Sequence, residues 1–274
     1  MDEAPRNCPI GVFDSGIGGL SVVKELLKIM PFEDIIYFGD TARLPYGSKS
    51  NRLITRYSVE NSIFLNSKNV KMIVIACNTA SAASSDYLRS FIKIPVIGVI
   101  ECGALGAVRL TRNKRVGVIG TKSTVSSSAY TKTINNLDPE IEVFEFPTPL
   151  LVHLVEENWI EKDITKEILT EYLTPLLKHD IDTLILGCTH YPLLKNQIHT
   201  ITGNISLVDS SKEISLLVLN TLKIQNLLSN KKDLGTTHVF LSDMHPEFSK
   251  WAKEFLGKEI SANLINMEHY GLSV

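Results

Sequence analysis

Residues 72–80 read Met-Ile-Val-Ile-Ala-Cys-Asn-Thr-Ala, an apolar run that ends at a cysteine and continues into a polar turn. Residues 183–191 repeat this arrangement as Thr-Leu-Ile-Leu-Gly-Cys-Thr-His-Tyr. Short runs that are apolar throughout are typical of parallel strands covered by helices on both faces. Each segment therefore predicts a buried strand that delivers a thiol, Cys77 or Cys188, to the turn that follows.

Similar short apolar runs occur along the whole chain and alternate with longer segments of helical period. The candidate strands are 10–13, 35–38, 72–76, 96–100, 116–119, 141–144, 183–186, 205–208 and 238–241. The candidate helices are 20–30, 52–67, 80–92, 164–179 and 213–228. This alternation predicts an α/β protein with mainly parallel sheets.

The motifs follow the same order in the two parts of the chain. Residues 11–15, Gly-Val-Phe-Asp-Ser, resemble residues 117–121, Gly-Val-Ile-Gly-Thr, and each segment precedes one of the cysteine motifs. We interpret this as two similar three-layer α/β domains related by a pseudo-twofold axis. The first would comprise residues 1–99 and 217–274, and the second residues 100–216. Ligands of such folds bind at the carboxyl ends of strands, so we expect the active site in the cleft between the domains.

The composition limits the classes of function. The chain has 274 residues, of which 44% are hydrophobic and 21% charged, as in ordinary globular proteins. Its net charge of −2 provides no basic field for nucleic acid. No apolar run approaches the roughly 20 residues that cross a bilayer, and the N-terminus lacks the pattern of a signal peptide. From the charge and the missing apolar run we expect no nucleic-acid or membrane partners. Because four cysteines make a poor disulfide framework, we expect a cytoplasmic protein.

Two further loops contain residues that favour special backbone conformations. Residues 14–19, Asp-Ser-Gly-Ile-Gly-Gly, would present backbone N–H groups to an anion, or Asp14 and Ser15 could merely cap the next helix. Ser21 breaks the G-x-G-x-x-G pattern of a dinucleotide site. Residues 39–47, Gly-Asp-Thr-Ala-Arg-Leu-Pro-Tyr-Gly, form either a loop that encloses a substrate or an ordinary turn.

The cysteines also allow more than one interpretation. Buried free cysteines are often inert, but a helix N-terminus lowers the pKa of a thiol from about 8.5 toward neutrality. The matching settings of Cys77 and Cys188 favour reactive thiols. His190 could be a proton relay, a structural histidine or, together with both thiols, a zinc ligand. Cys8 and Cys102 lack the polar turn and are interpreted as packing residues.

Five segments in this order resemble the signature motifs of glutamate racemase, in the aspartate/glutamate racemase family. They are residues 14–19, 39–47, 76–80, 118–125 and 187–192. The resemblance implies an amino-acid racemase that needs no pyridoxal phosphate or other cofactor and no metal. It implies conversion of L-glutamate to D-glutamate for peptidoglycan, by a homodimer. An aspartate racemase, a zinc hydrolase and a non-enzymatic amino-acid-binding protein are the alternatives.

The resemblance also implies roles for individual residues. Cys77 and Cys188 would be the two bases, Cys77 acting on D-glutamate with help from Asp14 and Cys188 acting on L-glutamate with help from His190. Glu156, chosen over the acidic residue beside it, would be the family's further catalytic carboxylate. The substrate-binding residues would be Asp14, Ser15, Pro45, Tyr46, Gly47, Asn78, Thr79, Thr121, Thr124 and Thr189.

The chain departs from the family's usual pattern beside the pocket. Cys102 and His153 stand where prolines are usual, and Thr148 stands where a cysteine is frequent. These differences concern the pocket walls and helix geometry rather than the two thiols. They leave the assignment of Glu156 and the details of the cleft open.

Racemisation explains why two thiols would be needed. One base cannot reach both faces of Cα unless the substrate turns over, whereas two opposed bases can, provided that one starts as a thiolate and the other as a thiol. Positioned acid–base groups supply roughly 10²–10⁴-fold in rate. The remaining stabilisation must come from N–H and hydroxyl donors to the α-carboxylate, which the polar residues after each cysteine would provide.

Overall fold

A computed structural model describes residues 6–244 and 246–270. In these residues, strands and helices alternate along the chain. The strands are β1 (Ile10–Asp14), β2 (Ile35–Gly39), β3 (Met72–Ile75), β4 (Val96–Gly98), β5 (Arg115–Gly120), β6 (Glu142–Pro147), β7 (Thr183–Gly187), β8 (Ser206–Asp209), β9 (Thr237–Leu241) and β10 (Ala262–Leu264). The helices are α1 (Leu20–Ile29), α2 (Asn51–Ser67), α3 (Asn78–Phe91), α4 (Val99–Leu110), α5 (Lys122–Ser127), α6 (Ala129–Leu137), α7 (Leu151–Glu156), α8 (Asp163–Leu177), α9 (Lys195–Thr202), α10 (Ser210–Ile224) and α11 (Phe248–Leu256).

The described strands form two sheets, and every strand pair in them is parallel. The larger sheet has the order β10-β9-β2-β1-β3-β4, and the smaller has the order β6-β5-β7-β8. The order β2-β1-β3-β4 in the first sheet recurs as β6-β5-β7-β8 in the second, while β9 and β10 extend the first sheet alone. The predicted α/β class is confirmed, and the strand order repeats in the way that the repeated motifs indicate.

Helices cover both faces of the central strands, which explains their apolar sequences. Met72 and Val74 of β3 point to the core cluster that includes helix α1. Ile73 and Ile75, one step along the strand, point to the opposite cluster beneath helix α2. Both faces of the strand are therefore removed from water, and a polar residue on either face would lose its hydration.

The predicted strands and helices agree with the structure in most places, but several bounds differ: β6 ends at Pro147, three residues beyond the predicted end, and α10 spans Ser210–Ile224 instead of 213–228. The run 96–100 was expected to be a strand throughout, but the strand ends at Gly98 and helix α4 begins at Val99. Val99 and Ile100 are buried in the first turn of that helix, and hydrophobicity alone does not separate a buried strand from a buried helix turn. No helix within residues 6–244 and 246–270 has the length and apolarity to span a membrane.

Candidate active site

A cavity lies where strands of both sheets end. Ser15 and Cys77 follow β1 and β3 of the larger sheet, and Thr121 and Cys188 follow β5 and β7 of the smaller one; all four line the cavity. Its volume of about 180 Å³ is below the roughly 300–1,000 Å³ of pockets that hold drug-sized ligands, so it suits a small metabolite. The motif loops therefore converge on one cleft, as the sequence predicts.

Most of the predicted site residues line this cavity. They are Ser15, Pro45, Tyr46, Gly47, Cys77, Asn78, Thr79, Thr121, Glu156, Cys188, Thr189 and His190. Asp14 and Thr124 do not line it; both are fully buried behind its wall. The lining also includes residues that sequence analysis did not assign to the site, namely Gly16, Leu44, Ser48, Lys122, Pro149, Val152 and His153.

The Cys77 thiol caps a helix but lies in a strongly desolvating environment. Its Sγ accepts the backbone N–H of Ala80 at 3.5 Å and lies 3.6 Å from the hydroxyl of Ser15. Burial, followed by the negative charge of Asp14, raises the pKa of Cys77 to about 12, despite the opposing effect of the two hydrogen bonds. The sulfur therefore carries its proton at neutral pH, contrary to the low pKa that a helix N-terminus alone would predict.

Asp14 ends strand β1 beside Cys77. Its Oδ2 accepts the backbone N–H of Gly16 at 3.1 Å, whereas its buried Oδ1 has no hydrogen-bond partner among the described residues. Burial raises the pKa of Asp14, and the positive charge of His190 and neighbouring backbone N–H groups oppose that effect. A buried carboxylate oxygen without a partner is costly, so this atom is available to a proton or to a donor.

Cys188 belongs to a chain of three groups on the other side of the site. Its Sγ is 3.7 Å from Nδ1 of His190, and Nε2 of the same ring is 3.2 Å from Oε1 of Glu156. Burial would lower the pKa of His190, but the hydrogen bonds and charges of Cys188 and Glu156 outweigh it and raise that pKa to about 10. The imidazole is therefore positively charged at neutral pH and favours negative charge on the adjacent sulfur.

The imidazole of His190 is held from several directions. A Cβ atom added at Gly18 would lie 2.4 Å from Thr189 Oγ1 and 2.8 Å from His190 Cε1, so only glycine fits there. The ring of Phe255, on α11, meets the imidazole edge-on at 5.3 Å between centroids. On the same helix, the indole N–H of Trp251 donates to the backbone oxygen of Glu156 at 3.0 Å. Helix α11 thus fixes both the imidazole and the helix that carries its carboxylate partner.

Three threonine hydroxyls connect helix α3, which follows a strand of the larger sheet, with helix α5, which follows a strand of the smaller sheet. Oγ1 of Thr79 is 2.9 Å from Oγ1 of Thr121 and 3.2 Å from Oγ1 of Thr124, and the last two are 3.0 Å apart. Thr121 also caps α5 by accepting the backbone N–H of Thr124 at 3.2 Å. Thr124 thus contributes to the site by holding the two threonines that line the cavity.

The loop that carries Tyr46 is fixed by a buried polar network. The Tyr46 hydroxyl donates to Asp40 and accepts the side-chain amide of Asn61 at 3.1 Å. Arg43 donates from Nε to both oxygens of Asp40, at 2.9 and 2.7 Å. Because the loop lines the cavity and is held from behind, the structure supports a loop that encloses a ligand rather than an ordinary turn.

A zinc site formed by Cys77, Cys188 and His190 has no support in the structure. Within residues 6–244 and 246–270, no group of three or more His, Cys, Asp or Glu side chains is arranged to hold a metal ion. The two ring nitrogens of His190 are directed to Cys188 and Glu156. The geometry therefore fits proton transfer better than metal coordination.

Known proteins are similar to this chain in sequence and in fold. The family model described as Asp/Glu/Hydantoin racemase matches residues 21–214. A glutamate racemase of Geobacter metallireducens is 48% identical over 252 residues, which cover 92% of this chain and 93% of that protein. A second, from Sulfurihydrogenibium sp., is 47% identical over 250 residues, or 91% of this chain and 94% of the relative.

A solved structure agrees over almost the whole chain. The glutamate racemase of Francisella tularensis, crystallised in complex with D-glutamate, superimposes with a TM-score of 0.92 at 40% sequence identity. The match covers 97% of this chain and 100% of that one. The family match, the extent of identity and the shared fold agree: this chain belongs to the Asp/Glu/Hydantoin racemase family.

Proposed function

We propose that this protein interconverts L-glutamate and D-glutamate by proton transfer at Cα. The observation that carries the proposal is that two cysteines, from strands of different sheets, line one small cavity in different proton environments. The relatives named as glutamate racemases, and the D-glutamate bound to the Francisella tularensis enzyme, support glutamate as the substrate.

The environments of the thiols suggest the state of the resting enzyme. Cys188 is the base for L-glutamate, because its Sγ lies 3.7 Å from Nδ1 of His190, whose pKa is raised and whose positive charge is stabilised by Glu156. Cys77 is the thiol, because burial and Asp14 disfavour its ionised form. This arrangement is ready for L-glutamate: the Cys188 thiolate removes the Cα proton and the Cys77 thiol delivers its own proton to the opposite face.

The reverse reaction starts from the swapped protonation state. After one turnover Cys188 holds a proton and Cys77 has lost one, so Cys77 is able to remove the Cα proton of D-glutamate. When D-glutamate binds the resting enzyme instead, Cys77 still carries its proton, and Oδ1 of Asp14, which has no hydrogen-bond partner among the described residues, accepts that proton so that the sulfur becomes the base. The protonated His190 donates a proton to Cys188 at the same time, so that Cys188 becomes the thiol that reprotonates the opposite face.

The carbanion needs donors at the substrate's carboxylate. Thr121 and Thr189 present hydroxyls to the cavity, and Asn78 and Thr79 lie at the N-terminus of α3, where the backbone N–H groups favour negative charge. Ser15, Pro45, Tyr46 and Gly47 complete the walls. We propose the same binding roles for these residues as the sequence predicts, with Asp14 and Thr124 acting from behind the wall.

Racemisation in bare buffer tests this function. Pure L-glutamate incubated with the protein, without added cofactor, is expected to lose its optical rotation completely, and L-aspartate is expected to react far more slowly. A chelator should leave the rate unchanged. Persistent rotation of L-glutamate in the presence of folded protein would contradict the proposal, and preference for L-aspartate would replace the substrate.

We further propose a cytoplasmic homodimer whose product supplies peptidoglycan synthesis, as the family resemblance implies. Sedimentation analysis of the purified protein is expected to give twice the 30.5 kDa mass of the chain. A monomer at micromolar concentration would contradict the dimer while leaving the proposed reaction intact.

A further inference from the structure

Tyr130 connects the two parts of the site without lining the cavity. It lies on α6, between strands β5 and β6 of the smaller sheet, and its side chain is fully buried. Its hydroxyl donates to Oδ1 of Asn78 at 2.6 Å and lies 3.3 Å from Oγ of Ser210. Asn78 directly follows Cys77 and lines the cavity. This hydrogen bond therefore joins helix α6, which lies between strands of the smaller sheet, to the polar turn after β3 of the larger sheet.

The ring of Tyr130 fits between two glycines. A Cβ atom at Gly103, on α4, would lie 3.0 Å from both Cε1 and Oη of Tyr130. A Cβ atom at Gly187, next to Cys188, would lie 3.3 Å from Cε2 of the same ring. Because the ring is bounded on both edges, the hydroxyl has one position, and that position is against Asn78.

The direction of this hydrogen bond determines the orientation of the Asn78 amide. The atom that faces the Tyr130 hydroxyl at 2.6 Å is the amide oxygen Oδ1, which can only accept, so the hydroxyl is the donor. An asparagine side chain can accept only through its oxygen, which is thereby taken. The amide NH₂ has no hydrogen-bond partner among the described residues and remains to serve a ligand in the cavity that Asn78 lines.

We infer that Tyr130 is a positioning residue: it fixes the Asn78 amide so that its NH₂ donates to a carboxylate oxygen of the substrate. The inference rests on the proposed function, since it assumes that an amino-acid carboxylate occupies the cavity. Without the hydroxyl, the amide is free to rotate by half a turn. It would then present an oxygen to the negatively charged carboxylate, which repels it.

The Tyr130→Phe variant tests this inference because it removes the hydroxyl and keeps the ring between its glycines. A net hydrogen bond of about 1 kcal/mol corresponds to roughly five- to tenfold in binding, so KM for both enantiomers should rise about five- to tenfold. The value of kcat should change less. A purely structural loss would act differently, since a smaller folded fraction lowers apparent kcat and leaves KM unchanged.

Two further variants make the result specific. Ser210→Ala removes the other neighbour of the Tyr130 hydroxyl but not the bond to Asn78, and it should leave KM at the wild-type value. In an Asn78→Ala background, Tyr130→Phe should change KM no further, because the group on which the hydroxyl acts is absent.

The possible outcomes separate the two claims. An unchanged KM in Tyr130→Phe, with wild-type turnover of glutamate, would overturn the inference and leave the proposed function standing. Equal effects of Tyr130→Phe with and without Asn78 would also overturn it. If the wild-type protein did not racemise glutamate at all, the proposed function and this inference would fail together.

Discussion

Cys77 and Cys188 occupy equivalent places in two similar sheets, yet their neighbours differ in charge. The charge that acts most strongly on Cys77 is the buried carboxyl of Asp14, whereas the sulfur of Cys188 lies 3.7 Å from the imidazole of His190. A carboxylate disfavours a second negative charge and an imidazolium favours one. Two thiols of the same chemical type thereby have neighbours of opposite charge, which suits the removal and return of a proton on opposite faces that we propose.

Replacing either thiol should abolish racemisation. Cys77→Ala and Cys188→Ala are each expected to lower kcat by at least about 10³-fold, because a positioned acid or base contributes roughly 10²–10⁴-fold and the second thiol cannot reach both faces. Polarimetry with L-glutamate measures this. Cys102→Ala is the matched control, since Cys102 is equally buried but lies outside the cavity. Full activity in either site variant would contradict the two-base account.

The raised pKa of His190 predicts a pH-dependent contribution to stability. Because His190 binds its proton more tightly in the folded protein, its stabilisation is complete below pH 6.5 and is lost as the pH rises to about 10. The free energy of unfolding of the wild type should therefore fall toward that of His190→Gln over this range. Urea unfolding at several pH values measures the difference.

The ionisation of Cys77 does not affect the difference in stability between the wild type and His190→Gln. Its pKa is raised from 9.0 to about 12, so it adds a loss of stability above pH 9 in both proteins, and this loss cancels in the difference. A difference between wild type and His190→Gln that stays constant from pH 6.5 to 10 would show that His190 is not held protonated by its neighbours.

At the scale of residues, the sequence predicts side chains that face the cavity better than those that support them. Cys77, Cys188 and His190 follow apolar strands and stand out as polar residues at strand ends. Tyr130 and Tyr191 give no such signal, because aromatic residues among apolar neighbours are typical of any core. Only the structure shows that the Tyr191 hydroxyl donates to the backbone oxygen of Thr148 at 3.0 Å and that Tyr130 reaches Asn78.

At the scale of elements, the site depends on helices that start where parallel strands end. Helix α3 begins at Asn78 with Cys77 as its cap, and α5 begins at Lys122 with Thr121 as its cap. The cap residues therefore have two functions: they satisfy backbone donors of the first turn, and they line the cavity. The hydrogen bond between Thr79 and Thr121 then links these two helix starts.

Thr121 tests the role of these helix starts. Thr121→Ala removes the cap of α5 and the link to Thr79, so it should lower the free energy of unfolding by about 1 kcal/mol and raise KM for glutamate. Thr121→Ser keeps the hydroxyl and should remain close to wild type in both measurements. Equal KM values for the two variants would show that the hydroxyl does not position the substrate.

The length and burial of a helix or strand determine whether the sequence pattern predicts it. The central strands were predictable because both of their faces are buried, so that every position is apolar. Helices α5, α6, α7, α9 and α11 have between six and nine residues, too short for a clear helical period. Helix α11 matters for the site through Phe255 and Trp251, but its contacts with His190 and Glu156 join segments far apart in sequence.

At the scale of the molecule, the repeated strand order explains why one cleft can hold two equivalent thiols. Parallel strands of each sheet end at the same edge, and the two edges meet at the cavity. We propose that the first domain comprises residues 1–99 and 217–274 and the second residues 100–216. The boundary at 216 falls within α10, which packs on both α1 and α4 and thereby joins the two parts.

A buried ion pair secures the segment that returns the chain from α10 to β9. Lys71 donates to Glu33 and to the backbone oxygens of Arg6 and Leu227, the last two at 2.6 and 3.0 Å. Lys71→Met would leave the Glu33 carboxylate buried without its cation, at a cost of about 3–5 kcal/mol. Urea unfolding measures this loss.

An exposed ion pair provides the control for that measurement. Lys250→Met breaks the pair between Lys250 and Glu247, in which both side chains are close to half exposed, and should change the free energy of unfolding far less than Lys71→Met does. Similar stabilities of the Lys71→Met and Lys250→Met variants would show that the buried pair does not hold the returning segment.

The central claim is that two thiols act on opposite faces of one stereocentre, and isotope incorporation tests it most directly. L-glutamate is incubated with the wild-type protein in D₂O, and deuterium at Cα is measured separately in both enantiomers during early turnover. The D-glutamate formed should carry deuterium from the start, because the Cys77 thiol exchanges with D₂O and delivers a deuteron, while the remaining L-glutamate stays unlabelled. Equal early labelling of both enantiomers would indicate a single base that exchanges its proton with D₂O and then delivers a deuteron to either face, and would contradict the account.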